Sequence, residues 1–352
     1  MNKYVKELTD PTKNQEPISL EGLDTDLLKK FFRSMTLIRK AEQKLAVGKR
    51  EGLIGGPVHL GVGQEAIAVG VAETLVKTDR VFGGHRSHSH LLSLNPDCFK
   101  LFSEVLGKAS GFSKGMGGSM HLFDGKNGFY GSVPIVAGTV SLAVGAAMAA
   151  RLQRTQNVSV AYLGDGAIEE GVVHEALNLA KMQSSPILFV IENNLFASHM
   201  HISLRQPREL CSRYAEASRI PFSVIDGNDV VSIYTTAKQM VREMREQGGP
   251  RFLELITYRW YGHVDWREDI DVGVKRSLED TENWKARDPI ARLSASMNAA
   301  TILDEREMEE IEADVQEIVD LAWVQAIKAA PPAEDATMNY VYSGVARKGA
   351  DA

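Results

Sequence analysis

The residues of this 352-residue chain best suited to metal chemistry are a carboxylate in a glycine turn and a later pair of asparagines. Asp165 lies in the turn Gly164-Asp165-Gly166, directly after the mostly apolar segment 158–163, which predicts a short buried strand. Asn193-Asn194 follows a second apolar segment, 186–191. A carboxylate and an amide oxygen are hard ligands of the kind that Mg²⁺ takes together with phosphate oxygens and water. If the fold brings the two motifs together, they form a magnesium–phosphate site.

The segment between the two motifs predicts how they are positioned. Apolar residues recur at helical spacing from Ile168 to Ala180, so we expect a strand, a glycine turn, a helix and a second strand. In such a unit both loops leave the carboxyl ends of neighbouring parallel strands, where open α/β sheets bind ligands. Free amides near Gly166 and Ala167, at the start of the helix, favour phosphate there. Each motif alone is an ordinary turn or loop; their order along the chain favours the cofactor site.

Strands continue to alternate with helices further along the chain. The segment 223–229 predicts a strand and a turn, Val230 to Glu246 a helix, and Phe252 to Tyr258 another strand. This alternation predicts the α/β class, as a doubly wound parallel sheet flanked by helices. We expect this domain to span residues 23–330, with a loosely held N-terminal arm at 1–22 and a C-terminal tail at 331–352.

Two long amphipathic helices are predicted near the ends of this domain. The first begins at Asp24 or Thr25 and ends near Gly48. The second runs from Asp304 to Lys328, where Asp304 and Glu307 have the spacing of a capping box.

The composition excludes several classes of protein. A net charge of -6 and a pI near 5.9, without a basic run, give no reason to expect nucleic-acid binding. Two cysteines outside any CxxC motif favour a reducing compartment. The longest low-charge run, 133–150, is too weakly apolar for a membrane span, and the first ten residues do not resemble a signal peptide. We therefore expect a cytoplasmic protein.

The turn Gly164-Asp165-Gly166 followed by Asn193-Asn194 resembles the thiamine diphosphate signature, a GDG followed about thirty residues later by NN. The resemblance implies a thiamine diphosphate-binding fold in which Asp165, Asn194 and the backbone carbonyl of Phe196 bind Mg²⁺. That ion in turn binds the diphosphate of the cofactor.

Two further segments narrow the resemblance to alpha subunits of the first components of 2-oxo acid dehydrogenases, such as pyruvate and acetoin dehydrogenases. His59 begins a segment that matches HLxxGQEA, and the segment 114–121 matches KGxGGSMH. The glycine content of the second segment is that of either a flexible linker or a tight functional loop, and the match favours the tight loop. The resemblance implies that His59 is a catalytic residue; the alternative is a core histidine bonded to a buried backbone group.

A histidine-rich segment, His85-Arg86-Ser87-His88-Ser89-His90, has the position of the family's Tyr-Arg-x-His. The resemblance implies that Arg86 binds the diphosphate, for which its planar guanidinium is well suited. His85 replaces the usual tyrosine at a cofactor-binding position. We expect this segment to be a loop and not a metal site.

Two further segments complete the set of residues implied by the resemblance. Ile135 and Val136 match a stretch that passes the aminopyrimidine ring of the cofactor, although Pro134 replaces a glycine there and cannot donate an amide hydrogen. His263 ends a segment that resembles TYRxxGH, which implies a catalytic and cofactor-binding role on a mobile loop. The alternative for His263 is an ordinary surface loop residue.

The resemblance implies a thiamine diphosphate-dependent oxidoreductase that decarboxylates a 2-oxo acid or acts on acetoin. In the family the glutamate that activates the cofactor belongs to a beta chain, so a beta subunit in an α2β2 heterotetramer is implied, and a lipoyl-bearing acyltransferase as acyl acceptor is left open. The divergent segments 198–206 and 264–274 suggest a specialised substrate or acceptor. Two alternatives remain: the amino-terminal half of a split transketolase-like enzyme, and a non-catalytic phosphate-binding module.

Overall fold

The computed structural model of this protein describes residues 3–334 and 336, except for 209, 265, 268, 269, 272 and 273. The predicted tail at 331–352 therefore lies almost entirely outside the described residues. The described helices are α1 Lys3–Thr9, α2 Thr25–Arg50, α3 Glu65–Ala72, α4 His88–Leu94, α5 Cys98–Val105, α6 Val140–Leu152, α7 Gly171–Met182, α8 Ser212–Ala217, α9 Val230–Gln247, α10 Leu278–Lys285, α11 Pro289–Ala299 and α12 Glu305–Lys328.

Six parallel strands form the central sheet in the order β2-β1-β3-β4-β8-β7, and two short hairpins, β5-β6 and β9-β10, lie outside it. The predicted α/β fold with a doubly wound parallel sheet is confirmed. The strands are β1 Arg80–Gly83, β2 Phe129–Ser132, β3 Ser159–Gly164, β4 Ile187–Asn193, β5 Phe196–Ala197, β6 Met200–His201, β7 Phe222–Asp226, β8 Arg251–Ile256, β9 Ile270–Asp271 and β10 Val274–Lys275.

Side-chain alternation along the central strands divides the core into two layers. Val160 and Tyr162 of β3 pack in a layer with α2, α3, α5, α9 and α12. Ala161 and Leu163 point to the opposite face and pack with α6 and α7. Both faces of a parallel sheet are therefore covered, which explains why the segments 158–163 and 186–191 are apolar except for Ser159.

The two predicted long helices are present with the expected start signals. Asp304 accepts a hydrogen bond from the amide of Glu307 at 2.8 Å, and Glu307 accepts one from the amide of Asp304 at 2.9 Å, so the capping box is confirmed. The first helix, α2, continues to Arg50 and does not end at Gly48. Gly48 is needed for packing, because a side chain at this position would overlap the ring of Trp323 in α12.

The described residues of the N-terminal arm pack against the domain, although nothing in the local sequence indicates a firmly held arm. Leu8 is buried, and its carbonyl accepts a hydrogen bond from Arg287 at 2.8 Å. The carbonyls of Glu16 and Ile18 accept hydrogen bonds from Arg292 and Ser296 at 2.9 and 2.7 Å. The arm supplies backbone acceptors to polar groups that are buried under it, and these contacts are invisible in the local sequence.

Within the described part of the chain, no helix combines the length and the apolar character that crossing a membrane requires.

Candidate active site

A cavity of about 470 Å³ opens beyond the carboxyl ends of strands β1, β3 and β4. This is the edge at which the sequence predicts the cofactor. Every predicted site residue except Ile135 lines the cavity: His59, His85, Arg86, Val136, Gly164, Asp165, Gly166, Ala167, Asn194, Phe196 and His263. Ile135 is 71% exposed and lies outside the cavity lining.

The three predicted metal ligands, Asp165, Asn194 and Phe196, lie together at this edge, and we call them the metal edge. Asp165 directly follows β3 and Asn194 directly follows β4, and these two strands pair along their whole length. Asn194 donates from Nδ2 to Gln64 Oε1 at 3.2 Å, and its Oδ1 accepts from the amide of Phe196 at 3.3 Å. The amide group is thereby held with a fixed oxygen and nitrogen orientation.

Asp165 is buried and forms an ion pair with Arg205, which also pairs with Glu169. Burial raises the pKa of Asp165 to about 6, and the Arg205 guanidinium opposes this rise. A carboxylate with an adjacent amide oxygen and backbone carbonyl is a suitable ligand set for a hard divalent cation. The residues of the metal edge therefore fit Mg²⁺ by their chemistry.

Three histidines from distant segments meet at the same cavity, and we call them the histidine wall. His59 lies 4.5 Å from His85 and 5.1 Å from His263 between ring centroids, and His85 lies 5.2 Å from His263. Arg86 lies beside them and donates to the carbonyls of Leu60 at 2.5 Å and His263 at 3.2 Å.

The imidazoles of the histidine wall are neutral at physiological pH. Burial, followed by the Arg86 guanidinium, lowers the pKa of His59 to about 2, that of His85 to about 3 and that of His263 to about 2. His59 Nδ1 is buried and has no hydrogen-bond partner among the described residues. The alternative reading of His59, as a core histidine bonded to a backbone group, is therefore not supported at this atom. His263 is half-buried at the cavity, not an ordinary surface residue.

Comparison with known proteins agrees with this geometry. Residues 33–334 match the family described as "Dehydrogenase E1 component". The chain belongs to this family.

Among its curated relatives, the alpha subunit of the pyruvate dehydrogenase E1 component from Rhizobium meliloti is 36% identical over 82% of each chain. The corresponding subunit from Zymomonas mobilis is 36% identical over 89% of this chain and 87% of its own. The alpha subunit of acetoin:2,6-dichlorophenolindophenol oxidoreductase from Bacillus subtilis is 34% identical over 83% of this chain and 86% of its own.

The predicted resemblance and the assignment as an enzyme of the thiamine diphosphate-dependent oxidoreductase class are confirmed. Membership of the E1 family implies thiamine diphosphate as the cofactor.

The glycine-rich segment of this E1 chain is a tight loop and not a flexible linker, as the sequence predicted. It folds around the buried carboxylate of Glu104 from α5. Glu104 accepts hydrogen bonds from the amides of Ser113, Gly115, Gly117 and Gly118 at 2.6, 2.9, 2.7 and 3.2 Å. The loop is thus held in shape by hydrogen bonds within the chain.

The histidine-rich segment of the E1 chain was predicted as a loop, but α4 begins at His88. His88 contacts Glu42 at 3.1 Å and Ser119 at 2.8 Å, whereas His90 contacts Glu192 at 3.1 Å. His88 and His90 therefore do not act together as metal ligands. Their partners are acidic residues distant in sequence, which local pattern does not reveal.

Several cavity residues were missed from the sequence. His90 stacks on Tyr162 with ring centroids 3.7 Å apart, and both line the cavity with Glu192. Glu169 also lines it. A signal existed for Glu192, which directly precedes Asn193-Asn194, but none existed for the contact of Asp165 with Arg205.

Proposed function

We propose that this chain is the alpha subunit of a thiamine diphosphate-dependent pyruvate-type or acetoin dehydrogenase, and that it binds the cofactor diphosphate through Mg²⁺ and acts with a beta subunit. The observation that carries the proposal is the convergence of Asp165, Asn194 and Arg86 in one cavity at the carboxyl edge of the sheet. The family match over residues 33–334 favours this function over a split transketolase-like enzyme or a phosphate-binding module.

Asp165, Asn194 Oδ1 and the Phe196 carbonyl are the proposed Mg²⁺ ligands. Arg86 is the proposed direct contact to the diphosphate, because its guanidinium lies at the cavity and is always charged. Ala167 and the glycines of the Gly164-Asp165-Gly166 turn are proposed to donate backbone amides to the same phosphates. They do so from the turn and the 3-10 helix Ala167–Glu169 and not from the start of α7, which begins later than predicted, at Gly171. Val136 lines the cavity and is the proposed apolar contact of the aminopyrimidine, with Ile135 beside it.

His59 and His263 are the proposed catalytic residues, and His85 is a proposed cofactor contact. When bound, thiamine diphosphate supplies the nucleophilic carbon and the electron sink for decarboxylation of a 2-oxo acid. Neutral imidazoles beside it can accept or donate a hydrogen bond, which suits them to orient a substrate carboxylate or carbonyl. Their low pKa values keep them from competing with Arg86 as cations.

The exposed apolar side chains near the cavity support a beta subunit. Ile135, Val136 and Leu142 are 71%, 44% and 59% exposed. Exposed apolar side chains this near in sequence to a residue of the cavity lining suit a surface that another chain covers. We propose that the beta subunit lies here in an α2β2 assembly and contributes the glutamate that activates the cofactor, with pyruvate, acetoin or a similar small molecule as substrate. A lipoyl-bearing acyltransferase is the proposed acceptor.

Thermal denaturation of the purified chain tests the metal edge. Thiamine diphosphate with Mg²⁺ should raise the Tm, and EDTA should reverse the rise. Asp165→Ala and Asn194→Ala should lose this response, whereas Asp314→Ala, which removes a surface carboxylate paired with Arg33, should retain it. An equal response in Asp165→Ala would refute the metal assignment.

Catalysis is tested by co-expression with the product of the neighbouring open reading frame. The pair should decarboxylate a 2-oxo acid with an artificial electron acceptor, and this chain alone should not. Turnover by the chain alone would refute the need for a beta subunit.

A further inference from the structure

An arginine that the sequence did not single out binds the carboxylate needed by the metal. Arg205 follows the β5-β6 hairpin and donates from Nη2 to Asp165 Oδ2 and from Nη1 to Glu169 Oε1. Its Nε donates to the carbonyl of Met200 at 3.1 Å. The side chain is 7% exposed, so this is an internal ion pair with fixed geometry and not a surface contact.

The neighbouring residue fixes this segment of the backbone. Gln206 donates from Nε2 to Glu169 Oε1 at 2.7 Å and to the carbonyl of Asp165 at 3.4 Å. Arg205 and Gln206 thus both bridge the turn after β3 and the short helical turn that contains Glu169. The segment is positioned by the same two acidic residues that it covers.

Charge balance gives the arrangement a physical reason. The carboxylate of Asp165 is 1% exposed, and a buried carboxylate without a cation is strongly unfavourable. Arg205 supplies that cation from within the chain. A guanidinium already bonded to Oδ2 of this carboxylate opposes the approach of a divalent cation electrostatically, because both cations then share one buried negative charge.

Resting on the assignment of Asp165 as a metal ligand, we propose that Arg205 is the internal counter-ion of Asp165, which the divalent metal must displace. Glu169 gives Arg205 an anchor after displacement, because its side chain is 30% exposed and already bonds the second guanidinium nitrogen. Metal binding is therefore coupled to a movement of Arg205 away from Asp165.

The test is a titration of the purified chain with Mg²⁺ at saturating thiamine diphosphate, followed by thermal shift and not by turnover. Arg205→Met removes the charge and keeps the length of the side chain. It should lower the Mg²⁺ midpoint roughly tenfold, the scale of one charged hydrogen bond, and should lower the Tm of the metal-free chain. The matched control is Arg213→Met, because Arg213 contacts Gln206 and Tyr214 but not Asp165, and its midpoint should equal that of the wild type.

Arg205→Lys keeps the charge on a single nitrogen, and its midpoint should lie between those of the wild type and Arg205→Met. If Arg205→Met fails to fold, the Mg²⁺ midpoint of Arg205→Lys is compared with that of the wild type instead. An unchanged or higher midpoint in the folded Arg205 variants overturns the competition, and would mean that Arg205 orients Asp165 for the metal. A wild-type chain without any EDTA-reversible shift overturns the proposed metal site as well.

Discussion

The metal edge and the histidine wall bury their polar groups in opposite ways. The metal edge carries charge, and its carboxylate is paired with Arg205 within the same chain. The imidazoles of the histidine wall carry no charge, and in the described part of the chain no group bonds to His59 Nδ1. A buried charge requires a partner in the folded chain, whereas a neutral imidazole can be left open at a smaller cost. When a ligand binds, the carboxylate of the metal edge must exchange its partner, whereas the imidazole of the histidine wall has only to gain one.

Asp165→Ala should have the largest effect of the variants that compare the metal edge with the histidine wall. The variant leaves Arg205 with Glu169 as its remaining acidic partner. Breaking a buried ion pair in this way should lower the free energy of unfolding of the metal-free chain by about 3–5 kcal/mol, as measured by urea denaturation. The double variant Asp165→Ala with Arg205→Met should recover much of this loss, because no unpaired charge remains. If the double variant is as unstable as Asp165→Ala, the pair does not act as described.

Arg86→Lys tests the cation beside the histidine wall. Lysine cannot reach both the Leu60 and the His263 carbonyls with a planar fork, so the Kd for thiamine diphosphate at saturating Mg²⁺ should rise about tenfold. Calorimetric titration measures this Kd. Arg80→Lys, at the start of β1 and over the ring of Tyr130, is the matched control and should bind as the wild type does. An unchanged Kd in Arg86→Lys would remove Arg86 from the cofactor contacts.

The histidine wall should make stability depend on pH. The folded-state pKa of His59 is about 2, below its usual 6.5. The stability that its burial contributes is therefore fully present above pH 6.5. It is lost as the pH falls toward 2, because the unfolded chain binds a proton there that the folded chain does not. Asn at position 59 does not titrate, so the loss of unfolding free energy between pH 7.5 and 5.5 should be about 1 kcal/mol smaller in His59→Asn than in the wild type.

Asp165 acts in the opposite direction in the same window, because its pKa is raised to about 6 and the ionised form is disfavoured. Its contribution is common to both proteins and cancels from the difference. Equal pH dependence in the wild type and His59→Asn would contradict the neutral, buried state of His59.

His85→Tyr should have the smallest effect. It restores the residue that the family usually carries at this position, and the aromatic ring remains beside His59 and His263. His85 is only partly buried and lines the cavity, so the larger phenol ring has space at this position. Cofactor affinity by calorimetry should stay within about threefold of the wild type; a tenfold loss would mean that the imidazole itself is required.

The metal edge could be predicted from sequence because it depends on local pattern. Asp165 and Asn194 end two apolar strands joined by one amphipathic helix, and the topology of that unit fixes their proximity. The histidine wall could be predicted only through the family resemblance. Its residues lie before α3, after β1 and after β8, and no periodicity relates these positions.

The contacts that no sequence pattern revealed are those between distant polar groups. Arg205 contacts Asp165 because of the path of the β5-β6 hairpin, which diverges from the family pattern. The helix at His88 was missed because its two buried histidines bond Glu42 and Glu192, and such tertiary contacts override the weak local signal. Part of the divergent segment 264–274 lies outside the described residues.

The carboxylate of Glu104 determines when the glycine-rich loop loses its conformational freedom. Glycine loses more conformational freedom on ordering than any other residue, and four amides of the glycine-rich loop already bond to this one side chain. The entropy of that loop is therefore lost when the chain folds. A cofactor or a second subunit that contacts this loop then does not have to supply that ordering entropy itself.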